Sequence, residues 1–176
     1  MHMTNDTKEY RAKGKALAHF HHEGIKDLNG VPYFMHPFRV GQAMSDFGYS
    51  EDAVVAGYLH DVVEDADVEG SRYTLATLIR IGFSARTVEL VDGMSRRKDE
   101  GESYFDFIRR IKARGDEELI VLKLVDISDN TSPVRRTEHT DSMIKGRYAR
   151  AVKMLAENVV LPELLEQIFP HGVPTK

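Results

Sequence analysis

The chain has 176 residues, 41% of them hydrophobic and 30% charged, with a formal net charge of −4 and no cysteine. That length suits one domain with a substantial core, the charge gives no broad reason to expect nucleic acid, and the apolar runs are too short to span a bilayer. With no apolar region of the secretory kind at the N-terminus, a cytoplasmic location is expected, and with no thiolate any metal must be held by His and carboxylate.

Neither repeats, low-complexity tracts nor linkers divide the chain, so a single domain over residues 1–176 is expected, and it reads as helix after helix. Thr7 to His22 carries Tyr10, Ala16, Leu17 and Phe20 at helical spacing, followed by a loop. Pro37 opens a helix that buries Phe38, Val40, Met44 and Phe47 and stops at Gly48. Ser50 caps a helix expected to run from Glu51 to about Glu64, with acids in its first turn. Thr74 and Ser84 cap two further helices, through Ile81 and about Asp92. Glu102 to Arg114 follows, its apolar side formed by Tyr104, Phe105, Ile108 and Ile111. Glu117 to Asp129 resembles a strand locally but is read as helix, because it is long and no partner strands exist. Helices over 142–158 and 162–168 complete an all-α bundle, with no second catalytic domain expected after them.

The segment GYLHDVVEDAD concentrates a histidine and several acids in an otherwise apolar stretch. On a helix, His60 would share a face with Glu64 and Asp61 with Asp65, leaving Leu59, Val62 and Val63 for the core. Adjacent His60 and Asp61 side chains can reach one divalent cation, with Glu64 and Asp65 beside it to take a proton from a water molecule. A solvated acidic helix end is the plainer reading of the same residues. Acids at a helix C-terminus oppose the macrodipole, however, and a cation would compensate. Two other positions fit that cation: His36, in PYFMHPFRV, and Asp126, a carboxylate inside the apolar run VLKLVDISDN where an unpaired charge is costly. The HFHH run, with His19, His21 and His22, invites a second metal site, but histidines at a helix C-terminus already suit the dipole.

His36, the His60-Asp61 doublet and the distant Asp126 resemble the H…HD…D signature of HD-domain metal-dependent phosphohydrolases. More closely, the chain resembles the hydrolase domain of RelA/SpoT-type alarmone enzymes and their small single-domain relatives. GVPYFMHPFRV is similar to G-x-PY-x-x-HP-x-x-V, AGYLHDVVEDAD to A-x-LLHDVVEDT, and LKLVDISDN to KLADRLHN. The matching core spans about 18–130, with C-terminal helices at about 142–168. The resemblance implies an HD-domain helical bundle with His36, His60, Asp61 and Asp126 as ligands of a divalent ion, Mn²⁺ suiting the N₂O₂ set. It implies Glu64 and Asp65 as the pair activating water, and Asn130 and Lys26 as substrate contacts.

The implied reaction is removal of the 3′-pyrophosphate of ppGpp or pppGpp, giving GDP or GTP, in the manner of stringent-response hydrolases. The substrate is then a small nucleotide, with neither nucleic acid nor membrane as partner and oligomerisation left open. Such a substrate needs cations, for which Lys26, Arg39, Arg96, Arg97, Lys98 and Lys123 are candidates. Arg96 and Arg97 lie in MSRRKDEGESY, read equally as a phosphate-covering loop or a solvated one, and Tyr104 as a base-stacking or, more simply, a core residue. The loop Ser132 to Arg136 adds Arg135 or Arg136. The chain departs from the family at Ile25, where an Arg is usual, and at Ile127, Ser128 and Asp129, where Arg-Leu-His is usual. Those departures touch base recognition more than the metal chemistry. Alternatives are an HD-domain nucleotidase or phosphatase on a 5′-monophosphate or NADPH, and a non-catalytic metal- or nucleotide-binding regulator.

Overall fold

The computed structural model describes residues 5–64, 73–157 and 160–175. Among these residues there are helices and turns but no strand, and no helix is long and apolar enough to cross a membrane. The chain divides into two compact units, the first of 1–25 and 32–95, the second of 26–31 and 96–176.

The first unit is built on α1 (Asn5–His21), α2 (Met35–Asp46), α3 (Glu51–Leu59), α4 (Leu75–Arg80) and α5 (Ala85–Met94). At its centre is α3, buried along its apolar length from Ala53 to Leu59. Its start is fixed by Ser50, whose Oγ accepts the Ala53 N–H at 3.2 Å. Arg11 of α1 clamps Glu51 through two nitrogens at 2.5 and 2.6 Å, while Asp52 accepts from Thr87 at 2.8 Å and from the Ser84 hydroxyl, tying α5 to α3. Helices α2 and α3 approach each other closely. A Cβ on Gly57 would lie 2.7 Å from Gly41 Cα and 2.9 Å from Gly41 N, so only glycine lets the two backbones meet. Gly48, at φ +78°, ends α2 where the sequence placed the stop. On α1 the buried residues are Gly14 and Ala18, whereas Phe20, expected on the apolar side, is exposed.

The expected helix to Glu64 ends at Leu59. Its last carbonyls are taken locally: His60 Nδ1 lies 2.9 Å from Gly57 O, and the Val62 N–H donates to Leu59 O at 3.0 Å. The His60-Asp61 doublet therefore sits in a turn, with Val62 still buried.

The second unit contains α6 (Tyr104–Arg114), α7 (Glu117–Thr131), α8 (Glu138–Met143), α9 (Ala149–Ala156) and α10 (Pro162–Ile168). The ambiguous Glu117–Thr131 segment is helical, capped by Asp116, which accepts the Leu119 N–H at 3.3 Å, and buried continuously from Leu119 to Ile127. The helix expected over 142–158 instead starts at Glu138 and passes through a π-helical stretch, Ile144–Tyr148, before α9. On α6, Phe107, Ile108 and Ile111 are buried, and the guanidinium groups of Arg147 and Arg150 cover Tyr104 and Phe105 at 4.8 and 4.3 Å.

Candidate metal centre

In the first unit, α2 delivers His36 from its first turn and the end of α3 delivers His60 and Asp61. Both histidines are 2% exposed. Their Nε2 atoms lie 3.2 Å apart, and Asp61 closes the triangle with Oδ1 3.2 Å from His60 Nε2 and Oδ2 3.6 Å from His36 Nε2. The Gly57 carbonyl accepts from His60 Nδ1, which leaves Nε2 to face His36 and Asp61. Burial pushes the Asp61 carboxyl up, but His60, His36 and the Tyr33 hydroxyl together outweigh it and hold Asp61 well below the usual carboxylate range.

Two imidazole nitrogens and a carboxylate thus converge. A proton shared between the rings satisfies one of these contacts; a divalent cation satisfies all of them. The donor set is of the borderline kind that first-row divalent ions prefer. The carbonyl behind His60 Nδ1 is the outer contact that fixes a metal-binding imidazole. The residues present therefore fit the ion that the motif implies.

Glu64, half-buried, follows the same turn. Asp65 lies outside the described residues. Lys26 belongs to the second unit and is exposed in the loop before Pro32.

Elsewhere in the second unit, Asp126 is 5% exposed on α7. Lys123 Nζ is 2.6 Å from its Oδ2 and Asn130 Nδ2 donates to its Oδ1 at 2.6 Å. The Lys123 ammonium, a candidate for substrate phosphate, thus neutralises a buried carboxylate and also lies 4.9 Å above the Phe107 ring. Arg97 is exposed and Arg96 half-buried. Their loop is tied to α6 by Glu102, which accepts the Arg97 N–H at 2.9 Å and pairs with Arg110 at 2.7 Å. Arg135 faces Asp129 at 3.8 Å and Arg136 faces Asp141 at 2.5 Å. Tyr104 packs among Phe105, Phe107 and Tyr148, and its buried hydroxyl has no hydrogen-bond partner among the described residues.

Two further residues lie beside the histidine pair. Tyr33, quoted only as part of a motif, donates its hydroxyl to Asp61 Oδ2 at 2.8 Å. His22, weighed as a second-site ligand, is 2% exposed and its ring centroid lies 5.0 Å from that of Tyr33. The signal available was the aromatic placed three residues before His36. Burial pulls His22 from 6.5 down to about 4 against the opposing bond to Ala18 O. Because the unfolded chain takes up this proton first, the stability that neutral His22 contributes above pH 6.5 is lost as pH falls from 6.5 towards 4. His22→Phe is expected to flatten the melting temperature against pH across that window; an equally steep curve would contradict this.

A family profile described as HD domain matches residues 15–120, more than half of the chain. The chain is 30% identical over 115 residues to the guanosine-3′,5′-bis(diphosphate) 3′-pyrophosphohydrolase of Aquifex aeolicus, covering 62% of this chain and 15% of that protein. It is 29% identical over 158 residues to a GTP pyrophosphokinase of Streptomyces coelicolor, covering 84% of this chain and 18% of that one. The chain therefore spans less than a fifth of the length of these two curated relatives. Among solved structures, a metazoan ortholog of SpoT described as hydrolysing ppGpp matches with a TM-score of 0.67 and 21% identity, over 97% of both chains, a likeness of fold. With more than half of its length matched by that profile, the chain belongs to the HD domain family.

Proposed function

We propose that this protein is a metal-dependent phosphohydrolase that removes the 3′-pyrophosphate of (p)ppGpp, acting in the cytoplasm on the nucleotide of the stringent response. The observation that carries the reading is the buried convergence of His36, His60 and Asp61 in a chain related to a named 3′-pyrophosphohydrolase.

His36, His60 and Asp61 would hold the ion, Asp126 would add the second carboxylate, and Mn²⁺ is the ion best suited to that donor set. When bound, the ion supplies Lewis-acid charge for the phosphoryl oxygens and for water activation. Of Glu64 and Asp65, one orients the attacking water and the other takes its proton. The water oxygen bonds to phosphorus and the ribose 3′ oxygen leaves with a proton, so GDP and pyrophosphate result. Asn130 and Lys26 contact the nucleotide, and Arg96 and Arg97 offer charge to its phosphates. Lys123 pairs with the Asp126 carboxylate, a contact that an ion held there would share.

Initial rates of Mn²⁺-loaded protein on ppGpp, NADPH and deoxynucleoside monophosphates test the substrate assignment. The highest kcat/KM is expected on ppGpp, and a higher value on another ester would reassign the substrate while leaving the metal reading intact. Because the folded chain alone presents the assembled ligands, Mn²⁺ at a hundredfold over Kd is expected to raise Tm by roughly 5–10 °C. Excess chelator should reverse that rise, and a Tm indifferent to both would contradict the site.

A further inference from the structure

Asp61 follows the end of α3 in a turn, so helical backbone does not fix its carboxylate. Something else must choose among its rotamers if both oxygens are to face the imidazoles. Tyr33 makes that contact, donating to Oδ2 at 2.8 Å. Its ring also meets His36 edge-on, with centroids 5.8 Å apart and planes at 70°, and its carbonyl accepts the His36 N–H at 2.9 Å. On the other side stands His22, ring to ring at 5.0 Å. His22 is itself anchored twice to Ala18 O, through Nδ1 at 2.8 Å and through its backbone N–H at 3.1 Å. One aromatic side chain thus touches two of the three converging groups and is backed by a buried ring from the end of α1.

We infer that Tyr33 is a positioning residue, which sets the Asp61 carboxylate and the His36 ring in the orientation that faces His60, with His22 as its rigid backing. The inference rests on the proposal that the cluster holds a divalent ion. It accounts for the burial of a neutral histidine just after α1, and it gives the tyrosine preceding the His36 helix a task beyond packing.

The test is Mn²⁺ titration of the full chain by calorimetry, with thermal melting in the absence of added metal. Tyr33→Phe keeps the ring and loses the donor. It is expected to weaken Mn²⁺ binding by about tenfold or more, with the metal-free melting temperature unchanged. His22→Ala leaves every cluster atom and the Tyr33 hydroxyl in place; it is expected to weaken binding several-fold, and His22→Phe to recover most of that loss. Wild-type affinity in Tyr33→Phe, alongside lost binding in His60→Ala, would overturn the inference and leave the metal site standing. A Tyr33→Phe protein that melts far below the unaltered chain would also overturn it, since general loosening then explains the lost affinity. His22→Phe no better than His22→Ala would remove His22 from the account. Absence of stoichiometric Mn²⁺ binding by the unaltered chain would overturn both the inference and the functional reading beneath it.

Discussion

His60→Ala is expected to lower turnover of ppGpp by about 10³-fold or more, since several kcal/mol of charge stabilisation is lost at tenfold per 1.36 kcal/mol. The imidazole it removes is central to the cluster, with its Nε2 3.2 Å from both His36 Nε2 and Asp61 Oδ1. Alanine leaves His36 facing an ionised Asp61 with nothing to bridge them, so metal affinity falls together with kcat. The fold persists, because the residues that hold α3 are Ser50 and Glu51 at its other end and the apolar face from Ala53 to Leu59. Steady-state rates with circular dichroism of the same samples check this, and a folded His60→Ala protein within tenfold of the original rate would contradict it.

Gly57→Ala is expected to cost stability at the upper end of the overpacking range, about 3 kcal/mol. The added Cβ would meet backbone atoms of Gly41 at 2.7 and 2.9 Å, and backbone yields less readily than a side-chain tip. Separating α2 from α3 also parts His36 from His60, and Gly57 O is itself the acceptor that fixes the His60 ring. Stability and metal affinity should therefore fall together. Gly146→Ala serves as the comparison, since its Cβ would meet nothing within 4 Å, and a change within about 0.5 kcal/mol is expected there. Denaturant unfolding of both variants measures the difference, and equal stability would show that the helices separate without cost.

Much of the architecture was legible because it is written locally. Ser50, Thr74 and Ser84 each accept the backbone N–H three residues on, so helix starts follow from residue type and position alone. The strand-like segment from Glu117 resolved as helix because it is capped by Asp116 and buried on nearly every side, which erases the helical periodicity of its sequence.

What stayed hidden depends on partners distant in sequence. The end of α3 at Leu59 follows from His60 turning its ring back onto Gly57 O, a choice that its packing against His36, 24 residues earlier, makes favourable. The departures at Ile127, Ser128 and Asp129 looked like changes to a nucleotide pocket. In the structure Ile127 is buried, the Ser128 hydroxyl donates to Ile168 O at 2.5 Å, and Asp129 pairs with Arg135 at 3.8 Å. Ser128 and Asp129 thus tie the end of α7 to segments that follow it in the second unit. Tyr33 escaped notice for the same reason, since its hydroxyl partner lies 28 residues away.

Whether this chain cleaves the 3′-pyrophosphate is decided by the products of ppGpp incubated with Mn²⁺-loaded protein. Ion-exchange chromatography is expected to show GDP and pyrophosphate appearing in equal amounts, and neither in the His60→Ala protein. Intact ppGpp, or release of orthophosphate in place of pyrophosphate, would contradict the account.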